Sequence, residues 1–264
     1  MPVGISTRGC TVRCKVVIVE GIIGAGKSSF TTDLGKALGE GSLILSEPDE
    51  RQGGNPYLAS YYKEPTRWAL TLQFHMLIAR YNQQKLAQEH VMSGMGNAIL
   101  DRSFYGDTSF AHLQLQQGLM SKTEFHSYIA AYRAMTAHVL LPAICIHLQV
   151  SPEVAMGRIR KRSEERPTRK FEHAVQLPYL QALDIEIEHM TQVLRSQGVR
   201  VIGVPWDEDR SSTSDRKAAV AAIADQINGS TSMDYFDITN ELLLTHRRYA
   251  IQGEALDQAP PEEP

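Results

Sequence analysis

The chain has 264 residues, 42% of them hydrophobic, and a formal net charge of −3. That is enough apolar side chain for one sizeable α/β core, and the absence of a basic surplus argues against a nucleic-acid track or a membrane patch. No apolar stretch approaches the roughly 18 residues of a spanning helix, so neither nucleic acid nor membrane is an expected partner.

The first residues, MPVGISTRGCTVRCK, are basic and polar but lack an apolar h-region. Secretion is therefore not expected, and the alternative reading is a short organelle-targeting remnant. Cys10, Cys14 and Cys145 form an odd, sparse set that suits a reducing compartment, so a cytoplasmic location is expected. Cys145 lies in the apolar run AICIHLQV and reads as a core residue.

Short, mostly β-branched runs bounded by Gly, Pro, Asp or charged residues predict strands at 15–20, 42–46, 97–101, 143–150 and 200–204. Helical patterns lie between them. The longest opens at Pro65, a favourable first helical position, and runs to about Met92. Others begin near Ser121, at Ser151-Pro152-Glu153 and near Gln176. This alternation predicts a parallel sheet with helices on both faces. Residues 233–248 read as one more amphipathic helix, and the acidic stretch from about Gly253 as a disordered tail.

The first predicted strand runs straight into Gly21-Ile-Ile-Gly24-Ala25-Gly26-Lys27-Ser28-Ser29, which matches G-x-x-x-x-G-K-[ST] between a strand and a helix. Backbone N–H groups of such a loop turn inward around phosphate oxygens, helped by the helix dipole. Lys27 would reach the β- and γ-phosphates and Ser28 would ligate Mg²⁺. A dinucleotide reading fails, because position 29 is Ser and G-x-G-x-x-G is absent.

The phosphoryl acceptor must be sought at the carboxyl ends of the other strands, where ligands sit in open α/β sheets. The second strand ends in Ser46-Glu47-Pro48, and the proline biases Glu47 toward an extended conformation. Its carboxylate reads either as an acceptor of a hydroxyl proton or as a solvated loop acid. The third strand ends in Asp101-Arg102-Ser103. An apolar run closed by Asp suits Mg²⁺, and Arg102 suits the charge on a transferring phosphoryl; a structural ion pair is the alternative. On the long helix, Gln73 and Arg80 are two turns apart and share a face with Met76 and Leu77. Gln73 offers a donor and an acceptor together, as reading a nucleobase edge requires. Arg80 on a buried face needs a partner, and Asp107 is the natural candidate. Spacing alone leaves open that Gln73 and Arg80 are solvated.

Taken together, GIIGAGKS, Glu47-Pro48, Tyr62-(x)₂-Pro65-(x)₂-Trp68-(x)₃-Leu72-Gln73, DRS and SPEVAxxRIRxR resemble the deoxynucleoside kinase family, from about residue 15 to about 206. The resemblance implies a P-loop kinase fold: a five-stranded parallel sheet flanked by helices, an arginine-rich lid, and a homodimer. It implies transfer of the ATP γ-phosphoryl group to the 5′-hydroxyl of a deoxynucleoside, with ATP and Mg²⁺ as cofactors. By position, Glu47 matches the base, Arg102 the arginine of the E/D-R-S turn, and Gln73 the glutamine that pairs with the nucleobase. Tyr62 and Glu165 match the pair on the 3′-hydroxyl. Arg80 and Asp107 match a pair found in members that accept purines and deoxycytidine. Leu58, Trp68 and Leu72 would line the pocket, although each equally suits plain core. Arg158 and Arg162, at i and i+4, would face the ATP phosphates, or form a solvated basic face. Asp101 would hold Mg²⁺ with Ser28, partly through water.

Two departures from the family pattern stand out. No arginine follows two residues after Arg162; the chain reads Ser163-Glu164-Glu165 and then carries an extra basic piece, Arg166 to Lys170. A tryptophan usual a few residues after the Glu-Pro pair is replaced by Asp49-Glu50-Arg51-Gln52. The chain accordingly divides into an N-terminal arm over 1–14, a kinase domain over 15–230 with its lid at about 158–170, and a C-terminal helix and tail over 231–264. The competing function classes are a nucleoside monophosphate kinase of the thymidylate type, which commonly shows D/E-R-Y where Asp101-Arg102-Ser103 stands, and a non-catalytic ATP-dependent binding module.

Overall fold

A computed structural model describes residues 11–12, 14–48, 55–137, 139–165, 174–208, 213–230 and 233–234. The central sheet has five parallel strands in the order β3-β4-β2-β5-β6, where β2 is Val16–Glu20, β3 Leu43–Leu45, β4 Ala98–Asp101, β5 Ile144–Gln149 and β6 Arg200–Pro205. All five match the predicted runs to within a residue or two. β2 and β4 are buried along their whole length, which is why they read as continuous apolar runs rather than alternating ones. Cys145 is buried in β5, as its apolar context predicted.

Helices α1 (Lys27–Ala37), α2 (Leu58–Lys63), α3 (Pro65–Met92), α4 (Phe104–Gln116), α5 (Lys122–Thr136), α6 (Pro152–Glu165), α7 (Leu177–Ser196) and α8 (Thr213–Asn228) surround the sheet. α3 has the predicted bounds, with Pro65 in its first turn. At 28 residues it is about 42 Å long, given a rise of about 1.5 Å per residue. α5 starts at a full capping box between Ser121 and Glu124. The sequence pattern did not reveal α2, α4 or α8. α4 buries residues on several sides, including Phe104, Tyr105, Gly106, Asp107, Ser109 and Ala111, so no clean amphipathic period marks it.

A separate antiparallel pair joins β1 (Thr11–Val12) to β7 (Met233–Asp234). This corrects the start of the expected 233–248 helix: Met233 and Asp234 are strand, because they pair with the N-terminal arm. The rest of that helix, the tail, Asp49 to Gln52, and the basic piece Arg166 to Lys170 lie outside the described residues. No helix among the described residues is long and apolar enough to cross a membrane.

Candidate active site

The parallel topology brings the carboxyl ends of β2, β3 and β4 to one edge, with the loop of Gly21 to Gly26 between β2 and α1. Gly24 shows why the loop is glycine-rich. Its φ is +84°, and a Cβ there would stand 2.6 Å from the Ala155 carbonyl, so both backbone and space exclude other residues. Gly26, also left-handed, caps α1, whose first turn carries no acid. That leaves the positive end of the helix open to an anion.

The Lys27 ammonium bends back over this loop and donates to the carbonyls of Ile22 at 2.8 Å and Gly21 at 3.1 Å. Burial, and next the neighbouring Arg102 guanidinium, push it down to about 7, against the pull of Glu47, Asp101 and Glu20. Ala25 lies within the loop, Ser28 and Ser29 follow it in the first turn of α1, and Ser28 faces Asp101 at the end of β4. Both Asp101 carboxylate oxygens are buried and make no hydrogen bond of normal geometry. Burial, then the charge of Glu47, raise this carboxyl, while Lys27, the Ser28 hydroxyl and Arg102 oppose the rise.

Glu47 is the hub of the site. One oxygen accepts a hydrogen bond from Arg80 Nη2 at 2.6 Å and forms an ion pair with Arg102 Nε at 3.1 Å. The side chain remains 38% exposed while both arginines are nearly fully buried. The other Arg80 nitrogen, Nη1, donates to Asp107, so the expected Arg80–Asp107 ion pair is formed. The link from Arg80 to Glu47 was not foreseen. Burial pushes the Asp107 carboxyl up to about 7, with Arg80 opposing, and the buried phenol of Tyr128 lies within its field.

Arg102 sits in a tight turn between β4 and α4. Its φ of 68° is the one positive value among the described non-glycine residues, a conformation that costs on the order of 1–3 kcal/mol. Its guanidinium lies 4.9 Å from the centre of the Phe110 ring and 3.9 Å from Glu20. Ser103 then caps α4 by accepting from the Gly106 N–H.

Along α2 and α3, Gln73 and Leu72 are buried beside Met76. The Gln73 carbonyl oxygen has no hydrogen-bond partner, and neither does that of buried Asn55, whose amide donates to Met76 Sδ at 3.4 Å. Asn55 was not identified from the sequence. Leu58 and Tyr62 are half-buried on α2. Trp68 is also half-buried; it stacks on Tyr57 at 5.8 Å and carries Arg67 over its ring, so it is not plain core. Tyr62 makes a T-shaped contact with Tyr61.

The residues expected in the lid, Arg158, Arg162 and Glu165, all lie on α6. α6 is continuous to Glu165, which stands exposed at its last residue. Arg158 does not project freely. Its guanidinium donates to the carbonyls of Trp206 at 2.8 Å, Asp207 at 3.1 Å and Glu208 at 3.4 Å, with Ala25 at 3.5 Å. Main-chain carbonyls in the loop after β6 are the acceptors nearest to hand, and an arginine fork can bridge several. Arg162, one turn on, is half-buried.

A family model described as deoxynucleoside kinase matches residues 17–228. The chain is 33% identical over 193 residues to a deoxyguanosine kinase of Dictyostelium discoideum, a match covering 73% of this chain and 64% of that protein, so it spans less than two thirds of that relative. It is 31% identical over 192 residues to a deoxyadenosine kinase of the same organism, covering 73% of this chain and 72% of the relative. Among solved structures, that of deoxyadenosine kinase from M. mycoides with the products dCMP and a flexible dCDP bound has a TM-score of 0.67 at 27% identity, over 81% of this chain and all of the other. The P-loop, the Glu47 hub and the DRS turn thus stand in a fold and a sequence of one lineage, and the chain belongs to the deoxynucleoside kinase family.

Proposed function

We propose that the chain transfers the γ-phosphoryl group of ATP to the 5′-hydroxyl of a deoxynucleoside, in nucleotide salvage. The observation that carries this reading is the placement of one half-exposed carboxylate, Glu47, between two buried guanidiniums beside the P-loop lysine. Glu47 accepts the proton of the attacking hydroxyl. Arg102 meets the charge on the phosphoryl group in flight, and Lys27 leaves the loop carbonyls for the β- and γ-phosphates. Phosphoryl transfer of this loose kind asks mainly for positioning and charge, which the two buried guanidiniums and the Lys27 ammonium drawn to the phosphates supply.

The residues present suit a divalent cation: two buried Asp101 oxygens without hydrogen bonds lie beside the Ser28 hydroxyl, a hard-oxygen donor set. Mg²⁺ held by Ser28, and by Asp101 partly through water, would offset phosphate charge. Gln73, with Leu58, Trp68 and Leu72 around it, reads the base, and the Arg80–Asp107 pair at its far edge favours a purine or cytosine over thymine. Tyr62 and Glu165 hold the 3′-hydroxyl, and Arg162 faces the phosphates from α6. Arg158 does so only by exchanging its carbonyl partners. The working unit is a homodimer.

A coupled ATP-consumption assay against deoxynucleosides and their monophosphates tests the reading. Turnover with deoxyadenosine, deoxyguanosine or deoxycytidine is expected. Turnover confined to monophosphates, or ATP binding without turnover, would overturn it.

A further inference from the structure

Glu20, the last residue of β2, plays no part in the scheme above. It is fully buried, 0% exposed, directly beneath the P-loop. Glu20 Oε1 accepts two hydrogen bonds from one residue, Ser103: from the backbone N–H at 2.8 Å and from the hydroxyl at 2.6 Å. Oε2 makes none and lies 3.9 Å from Arg102 Nη1, which is itself buried without a hydrogen bond. The first turn of α4 rests on this carboxylate, since a Cβ on Gly106 would stand 2.7 Å from Oε2 and 2.8 Å from Oε1. Only glycine permits that approach.

We infer that Glu20 is a positioning residue for phosphoryl transfer: it pins the strained turn that carries Arg102 and supplies that guanidinium with a counter-charge which no substrate can reach. This inference rests on the kinase reading given above. Three features favour it over a purely structural role. The turn it holds contains the one left-handed non-glycine residue described, at Arg102, and such geometry persists only where the surroundings over-determine it. Arg102 has two carboxylates within ion-pair distance, and of these only Glu47 is exposed to an acceptor. When Glu47 takes up the hydroxyl proton its charge is lost, and Glu20 is then the carboxylate left within ion-pair distance of Arg102, with Asp101 and Asp107 in the wider field. A buried carboxylate left half without hydrogen bonds is also costly if it serves packing alone. Burial raises its carboxyl, with Arg102 the strongest opposing influence, then Ser103, Arg80 and Lys27.

The test is Glu20→Gln, which keeps the shape and an acceptor for Ser103 but removes the charge. The expected result is kcat lowered at least about tenfold, with KM for ATP and for the deoxynucleoside each within about threefold of wild type. In an Arg102→Ala background the same change should lower kcat by less than about twofold, because the two residues act as one unit. Unchanged kcat in Glu20→Gln, or an equal loss in both backgrounds, overturns the inference. If Glu20→Gln does not fold, Glu20→Asp replaces it; that variant keeps the charge one methylene short of Ser103 and should lower kcat with KM preserved, whereas wild-type kcat overturns the inference. Absence of deoxynucleoside turnover in the wild-type protein would instead count against the kinase reading itself.

Discussion

Replacing Arg80 with Met should destabilise the protein in a pH-dependent way whose direction follows from Asp107. Arg80 donates a hydrogen bond to a buried carboxyl, Asp107, already pushed up to about 7 by burial. A raised acid contributes its stability while protonated. For an unfolded value of about 3.9, the wild-type protein loses stability as pH rises from about 4 to about 7, at up to about 1.4 kcal/mol per pH unit, and then levels off. Without the guanidinium the folded-state value moves higher still, so in Arg80→Met the loss continues above pH 7. The difference between variant and wild type should be nearly constant from pH 5.5 to 7 and grow by about 1 kcal/mol per unit between pH 7 and 8.5. Other groups that face the carboxyl, namely Glu20, Glu47, Arg102 and the Tyr128 phenol, remain in both proteins. Urea unfolding at pH 6.0, 7.0 and 8.5 measures the difference. Adding Asp107→Ala should flatten the growth and make the double variant more stable than Arg80→Met above pH 7, because no stranded charge remains. An equal difference at pH 6.0 and 8.5 would refute the reasoning. The structure also ties Arg80 to Glu47 at 2.6 Å, so neither variant should keep full kcat.

Lys27→Ala should abolish phosphoryl transfer in the coupled assay while the protein still melts cooperatively; turnover by the folded variant would remove the P-loop from the mechanism. Glu47→Gln should lower kcat by roughly 10²–10⁴ with deoxynucleoside affinity largely retained; steady-state kinetics and calorimetry separate this from a binding role, in which affinity would collapse and kcat survive. Deoxyadenosine, deoxyguanosine or deoxycytidine should exceed thymidine by at least about tenfold in kcat/KM, because only thymine brings a methyl group toward the buried Arg80–Asp107 pair, a mismatch of order 1–3 kcal/mol. Equal activity on thymidine would leave Arg80 a structural residue.

The elements and residues legible in the sequence are those that depend on short-range pattern. The P-loop is contiguous, and the β-branched runs of β2, β4 and β5 announce strands without help from the fold. The Arg80–Asp107 pair was readable because a charge on the buried face of a long helix must find a partner. Glu20 was not, because nothing distinguishes the last residue of a strand from the start of a loop until β4 is laid alongside it in register. The second link of Arg80, to Glu47, also needed the sheet order, which sets β3 beside β4. Arg158 shows the opposite limit. Its spacing from Arg162 fixed the face it occupies, but not that the Trp206 to Glu208 backbone lies within its reach.

The small ribbon formed by Thr11–Val12 and Met233–Asp234 has a practical consequence for anyone handling this protein. It ties residues 11–12 to residues 233–234, so the segments on either side of the kinase domain cannot be edited independently. Trimming residues from 231 onward as a dispensable tail would also take away the partner strand of Thr11–Val12, and trimming the arm would bare Met233–Asp234. Each cut leaves an unpaired strand edge open to pairing with another chain.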